Sequence, residues 1–460
     1  HTRSKRDWSS DVCSSDLGAA ADHGDAHLLN DAAKIFHVPT GVTRLELPPK
    51  PLDATGVTMA KPSINDAIAF PKDTLAKRAF LLKAVRDICE TIRASGVKSE
   101  ELATLAPESV TALRESGIFR LKLPAELGGA EADHLTEMLV LEELAYHDFT
   151  SGWCTMVGAT AVASLGAFLP QSGLEKVFKD GAIPTGSISF FPAGIAEKTA
   201  GGFKLSGRWR FNSGIGHAEW VVGGSVIDGT QNGDGPPDVI FCAIPIGDGT
   251  LHHNWDDVVG LKGTGSIDFS VEDYFIADDL TFVWDMIAPQ PKRGGNAFLL
   301  PPFIFVAKEH GSVAIGAGRR VLDELIHLAT STRGTFRASK LDERQIVHRI
   351  IGEADLRLRS ARALLHQTYT EIEAKMLEGW RPDIAAIAEC RSIALFCTDL
   401  AIDIASKAYH FAGNTALHQP HIIERLFRDL HTAGLHQVVS DTAYENQGKI
   451  KLGLPTDPMS

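Results

Sequence analysis

Two stretches of the sequence hold residue types that could do chemistry. One is Gly207-Arg-Trp-Arg-Phe-Asn-Ser-Gly214. Run as a β-strand, it would point Trp209, Phe211 and Ser213 the same way, because strand side chains alternate. An aromatic ring with a hydroxyl two residues on could face a flat heteroaromatic ring. The aromatic would cover it and the hydroxyl would bond its edge. The same pattern fits a half-buried strand whose serine caps the loop at Gly214, and from pattern alone that is the better reading. The other stretch is Arg428-Asp-Leu-His-Thr-Ala-Gly-Leu-His436-Gln437. A histidine titrates near neutrality and can take, give or hydrogen-bond a proton. His431 lies five residues before His436, about 140° round a helix, so the two would not share a face.

Other chemistries find little support. No GxGxxG opens a helix after a strand, and Gly316-Ala-Gly318 lacks the third glycine of a nicotinamide fingerprint. His252-His253 and the pair His418 and His421 lack the companions a metal site needs. Cys13, Cys89, Cys154, Cys242, Cys390 and Cys397 form no CxxC pair. Cys390 and Cys397 fit two small buried residues on one helix seam, and a reducing cytoplasm suits the set. A formal charge of −13 does not favour nucleic acid. No apolar run reaches transmembrane length, and the start carries no signal-peptide pattern.

The elements that must position these residues follow from periodicity. With 460 residues, two or three packed domains are expected. Residues 1–62 are poorly patterned. The first 18 or so, where Ser9-Ser10-Asp11 recurs as Ser14-Ser15-Asp16, read as a scar, and Pro48, Pro49 and Pro51 mark a linker. Residues 63–181 read as an α-helical domain. Phe80, Ala84, Ile88 and Ile92 lie along one helix face, and further helices cover about 107–117, 132–147 and 152–168. Residues 182–290 read as a small antiparallel β-domain, with Phe203–Leu205 and Trp209–Phe211 forming a tight hairpin around Ser206-Gly207. Residues 291–460 read as a four-helix bundle. Its helices are marked by residues 302–330, by Ile346, Ile350, Ala354, Leu358, Ala361 and Leu365, and by the seam Ile387, Cys390, Ala394, Cys397, Ala401, Ile404, Ala408 and Phe411. A last helix over about 421–444 would carry His436.

This order, mostly α with a central β-domain, resembles the acyl-CoA dehydrogenase superfamily over about residues 70–455. Closest in pattern are its two-component flavin-dependent monooxygenases, of the 4-hydroxyphenylacetate 3-hydroxylase and dibenzothiophene monooxygenase type. The resemblance rests on Gly117-Ile-Phe with Pro124 and Gly128-Gly129, on Ser151-Gly-Trp153, Ser187-Ile-Ser189 with Pro192, Leu205-Ser-Gly-Arg-Trp209, Ser213-Gly214 with His217-Ala218, Gly260-Leu-Lys-Gly-Thr-Gly-Ser266, and Arg428-Asp429 with His436. It implies that Phe211 packs on a flavin and that Ser213 bonds near its N5. Ser187, Ser189 and Phe190 would border the isoalloxazine. Lys262 and Thr264 would serve the flavin from a glycine-rich stretch that otherwise reads as a turn. Arg333 and Phe336, with the less well spaced Gln345, would reach the flavin of a neighbouring subunit, which implies a homotetramer. Trp153 and Thr160 would contact substrate.

Dehydrogenases of this superfamily carry a glutamate in a Tyr-Glu-Gly-Thr stretch after an Arg-Asp pair. Here His436-Gln437 follows instead, and glutamine cannot accept an α-proton. The resemblance therefore implies a monooxygenase using FMNH2 or FADH2 and O2 through a C4a-hydroperoxyflavin. His436 would take a substrate proton or hydrogen-bond the peroxide. With no nicotinamide domain of its own, the chain would depend on a separate NAD(P)H:flavin reductase. Phenol hydroxylases of this type carry a histidine shortly after the Gly-Trp pair, and here none follows Gly152-Trp153, so the role is not tied to a phenol. An acyl-CoA dehydrogenase with a displaced base, Glu309 or Glu353, is the alternative, and a catalytically silent flavin-binding protein is a third.

Overall fold

The computed structural model describes residues 68–230, 237–331 and 340–457. Five helices come first: α1 (Thr74–Leu102), α2 (Pro107–Glu115), α3 (His134–His147), α4 (Phe149–Phe168) and α5 (Gln171–Val177). Aspartates cap three of them. The carboxylates of Asp73, Asp133 and Asp148 accept from the N–H groups of Ala76, Thr136 and Ser151 and satisfy donors that the first turn leaves open. Every residue of α4 except Val157 is buried, as expected of a helix apolar all round. On α1 the inward stripe is Leu81, Val85 and Ile92, while Phe80 is 37% exposed. The expected face was thus one residue out of phase. Two adjacent apolar stripes compete on that helix, and the surfaces of α2 and α3 choose between them.

Seven strands follow: β1 (Gly186–Thr199), β2 (Gly202–Trp209), β3 (Trp220–Ile227), β4 (Val239–Pro245), β5 (Thr250–His252), β6 (Asp268–Ala277) and β7 (Thr281–Phe282). They form one sheet in the order β5-β6-β2-β1-β3-β4-β7. The expectation of a purely antiparallel sheet is corrected, because β1 and β3 run parallel. β2 returns along one edge of β1, and residues 210–219 carry the chain over to the other edge. The hairpin also lies elsewhere than expected. Its turn is Ala200-Gly201, where Gly201 takes φ 76°. Ser206-Gly207 is inside β2, at a bulge against β6, where Ser206 Oγ accepts from the Asp273 N–H at 2.9 Å. Gly207 is needed for close approach: a Cβ there would lie 2.6 Å from the Cα of Gly194.

The remaining helices are α6 (Pro302–Ser331), α7 (Gln345–Leu377), α8 (Ile384–Ala412), α9 (Ile422–Ala433) and α10 (Thr442–Lys451). The expected seam of α8 is buried from Ile387 to Ala408, with Phe411 half-buried. On α7 the inward stripe begins at Val347, and Ile346 is exposed. The last expected helix is broken. α9 ends at Ala433, a single 3-10 turn spans Gln437–Val439, and α10 follows, so His436 lies in a connection. Among the described residues no helix is long and apolar enough to cross a membrane.

Candidate active site

Strand alternation stops just where the sequence reading relied on it. Phe211 has φ 60°, in the left-handed region, and the chain leaves the sheet there. Trp209 is fully buried in the sheet, Phe211 is 65% exposed beside Trp255, and Ser213 turns inward. The shared face expected for these three is corrected. The loop is held by Asn212, whose amide donates to the carbonyls of Trp209 and Ile267 at 2.7 and 3.2 Å. Ser187 Oγ donates to the Ser213 carbonyl at 2.9 Å. Ser189 is half-buried further along β1, and Phe190 packs at 5.8 and 5.4 Å from the rings of Phe241 and Trp284.

Trp153 ties this loop to the carboxy-terminal helices. Its Nε1–H donates to Ser213 Oγ at 3.0 Å. Its ring meets His436 edge-on at 5.8 Å and His310, from α6, at 5.2 Å. Ser213, Trp153, His310 and His436 thus form one connected group drawn from the β2–β3 crossover, α4, α6 and the α9–α10 connection.

His436 is exposed to solvent in the single chain. Its Nδ1 accepts from the Val438 N–H at 3.2 Å, so in the neutral ring the proton sits on Nε2. Desolvation, and then the nearby Arg391 guanidinium, shift its pKa downward, and the exposure of the ring in the single chain keeps that shift small. The neutral ring can therefore donate from Nε2. Arg391, from α8, holds the connection by donating to the carbonyls of Gln437 at 2.9 Å and Val438 at 3.4 Å.

The glycine-rich stretch is a structural hub. A Cβ on Gly260 would fall 2.2 Å from the Arg428 carbonyl oxygen, and one on Gly263 would fall 2.9 Å from Ser99. Asp429 accepts from the Leu261 N–H at 2.7 Å. Arg428 pairs with Glu100 at 2.9 Å and with Glu424, and donates to the Val259 carbonyl at 3.0 Å. The Arg-Asp pair therefore clamps this stretch to α9 and α1. Lys262 is half-buried there, and Thr264 is buried.

Thr160 lies in a fully buried charge cluster. Lys122 bonds Glu309 at 2.5 Å, the hydroxyl of Thr160, and the Met156 carbonyl at 3.0 Å. Lys308 stands 3.3 Å from Glu137. Burial raises the Glu309 pKa to about 7 against the pull of Lys122. Glu309 is thus committed to a lysine, and Glu353 to Arg357 on the surface of α7. Arg333 and Phe336 lie outside the described residues, and Gln345 is exposed at the start of α7. His310, Ser266 and Arg391 were missed by sequence reasoning. His310 and Arg391 sit in helical stretches that match no motif, and Ser266 was quoted only as part of a motif.

The residues present fit a flavin. Phe211 leaves an uncovered ring on the loop that carries Ser213, and Ser213 Oγ, bonded to Trp153 and Ser266, keeps one further hydrogen-bonding position. The sequence matches the models of the acyl-CoA dehydrogenase N-terminal domain over residues 76–169 and C-terminal domain over residues 309–441. It is 26% identical to an indole-3-acetate monooxygenase of Pseudomonas putida, over 81% of this chain and 92% of that one. It is 28% identical to the flavin-dependent monooxygenase oxygenase subunit HsaA of Rhodococcus jostii, over 80% of this chain and 97% of that one. In fold it is similar to XiaF of a Streptomyces species, solved with FADH2 and glycerol, with a TM-score of 0.75, 20% identity, and coverage of 84% of this chain and 98% of that one.

Proposed function

We propose that this chain, which belongs to the acyl-CoA dehydrogenase superfamily, is the oxygenase component of a two-component flavin-dependent monooxygenase. It uses reduced flavin and O2, and a separate NAD(P)H:flavin reductase supplies the flavin. When bound, the reduced flavin supplies the electrons that activate oxygen. The observation that carries this reading is the Trp153 indole, which joins a serine acceptor, Ser213, to a neutral histidine donor, His436. Ser213 would hold the flavin at N5, and Phe211 would cover its ring. Ser187, through the Ser213 carbonyl, would fix the loop. Ser189, Phe190, Lys262 and Thr264 would shape the flavin cleft, and Arg333 and Phe336 would complete it from a neighbouring subunit of a homotetramer.

His436 would donate from Nε2 to the activated oxygen, an aim that a preorganised neutral donor serves without prior protonation. Trp153 would form the wall against which the substrate lies. Thr160 would act on that wall from behind, through the Lys122 cluster. The substrate class we favour is a small aromatic or heterocycle, in keeping with the relatives named for indole-3-acetate and p-hydroxyphenylacetate. An acyl-CoA dehydrogenase reading loses ground because the position after Arg428-Asp429 offers a histidine, and Glu309 is paired with Lys122.

Mixing the anaerobic complex of protein and reduced flavin with oxygen in a stopped-flow spectrometer tests the proposal. The expected result is an absorbance transient, distinct from reduced and oxidised flavin, that outlasts the same reaction in free solution. Direct reoxidation at the rate of free flavin, or bleaching of oxidised flavin by an acyl-CoA, would overturn it.

A further inference from the structure

The hydroxyl groups behind Ser213 can be wired in only one direction. The Leu261 carbonyl can only accept, and Thr264 Oγ1 lies 2.7 Å from it, so Thr264 spends its single proton there. Thr264 Oγ1 must then accept from Ser266, 2.6 Å away. Ser266 has no proton left for Ser213 at 2.7 Å, so Ser213 donates to Ser266. The Trp153 indole is a donor only, and it adds its bond to Ser213 Oγ from the other side. All four side chains are buried, which keeps bulk water from reversing the order. Ser213 Oγ is left with one lone pair to offer and no proton.

We propose that Ser266 and Thr264 are positioning residues that make Ser213 an obligate acceptor, so that the site selects a flavin with a hydrogen on N5 over one whose N5 is bare. Reduced flavin presents N5–H to the free lone pair. Oxidised flavin presents a second acceptor, and the two lone pairs oppose each other. Discrimination between the two redox states is thus written into the Gly263-Thr-Gly-Ser266 turn, whose shape is held by the backbone just past the end of α1. A Cβ on Gly265, which has φ 54°, would lie 2.7 Å from the Ala103 carbonyl oxygen. The inference rests on the reading of Ser213 as the N5 contact.

The test measures the affinity of the flavin-free protein for FMN and FAD, oxidised in air and dithionite-reduced under anaerobic conditions. In Ser266→Ala the Ser213 proton is released and can turn toward a bare N5. Oxidised flavin should bind tighter by roughly fivefold, the worth of one neutral hydrogen bond, with reduced-flavin affinity within about twofold of wild type. Thr264→Val should likewise raise the affinity for oxidised flavin relative to reduced flavin, because Ser266 can then donate to Ser213, and it carries the test if Ser266→Ala does not fold. Ser213→Ala should weaken reduced flavin alone. An unchanged ratio of the two affinities in both relay variants, with Ser213→Ala still weakening reduced flavin, overturns the relay and spares the contact. No effect of Ser213→Ala on either form removes the contact and the relay together, while the oxygenase reading is judged separately by the stopped-flow transient.

Discussion

The imidazoles of His310 and His436 lie with centroids 4.3 Å apart and planes tilted by 37°. Burial, the charge that His436 would carry and Lys122 pull His310 below the usual histidine range, and desolvation and Arg391 shift the more exposed His436 in the same direction. Two rings so placed favour the neutral state, since a proton on either raises the cost of a proton on the other. His436→Ala should keep the fold and lower product formed per flavin oxidised by roughly tenfold or more, the scale of losing one aimed donor. The remainder should appear as hydrogen peroxide. Equal coupling in the variant would remove His436 from the mechanism.

The same geometry sets a pH dependence. Nε2 of His436 already carries a proton at neutrality, so activity does not wait on a base near 6.5. Coupling should stay level as pH falls from about 8 to the ordinary histidine value and change only below it, because desolvation and Arg391 shift the ring downward. Product yield per flavin across pH 5 to 8 checks this, and an acid limb centred near 6.5 would refute it.

Trp153 and Ser213 should behave as one unit. Trp153→Phe keeps a ring against both histidines and removes only the Nε1–H. It should shorten the oxygen-dependent absorbance transient by roughly fivefold, as expected for one lost hydrogen bond, and Ser213→Ala should do so at least as much. The double variant should be no worse than Ser213→Ala alone. Additive losses would mean that the indole acts independently of the serine.

Asp429 serves the glycine-rich stretch rather than the chemistry. Burial and the neighbouring Glu100 raise its pKa to about 7, and it still accepts from the Leu261 N–H. Asp429→Ala leaves that N–H unmet and should cost about 1–3 kcal/mol in thermal or denaturant unfolding. An unfolding midpoint equal to wild type would show that water or another group replaces the carboxylate at no cost.

His217 should make the fold acid-sensitive. It is buried against Phe119 at 5.6 Å with neither ring nitrogen bonded among the described residues, and burial, then Arg114, lower its pKa to about 4. Folded protein then binds fewer protons here than unfolded protein does. Its contribution is complete above the unfolded value of about 6.5 and is lost as pH falls through that value toward 4. His217→Phe keeps the stack and should flatten the stability-versus-pH slope in this window by up to about one proton. An unaltered slope in urea titrations at several pH values would show that the ring is hydrated and titrates normally.

Much of this protein was legible in one dimension. The alternation of three and four along Ile387 to Ala408 predicts a buried α8, because helix periodicity is local. The pairing of Arg428-Asp429 with a histidine where a glutamate would stand separates the monooxygenase reading from dehydrogenation, because residue type alone decides which group can accept an α-proton. The rest depended on contacts between distant segments. Phe211 and Ser213 part company because one left-handed residue breaks strand alternation. Ser206-Gly207 is a bulge because Gly194 packs against it. His310 has no motif and becomes part of the site only when α6 lies beside Trp153. His436 can offer a proton from Nε2 because the Val438 N–H occupies its Nδ1. Sequence determined which chemical groups were present. The tertiary structure decided which of them hold protons, since protonation depends on the neighbours that packing brings within reach.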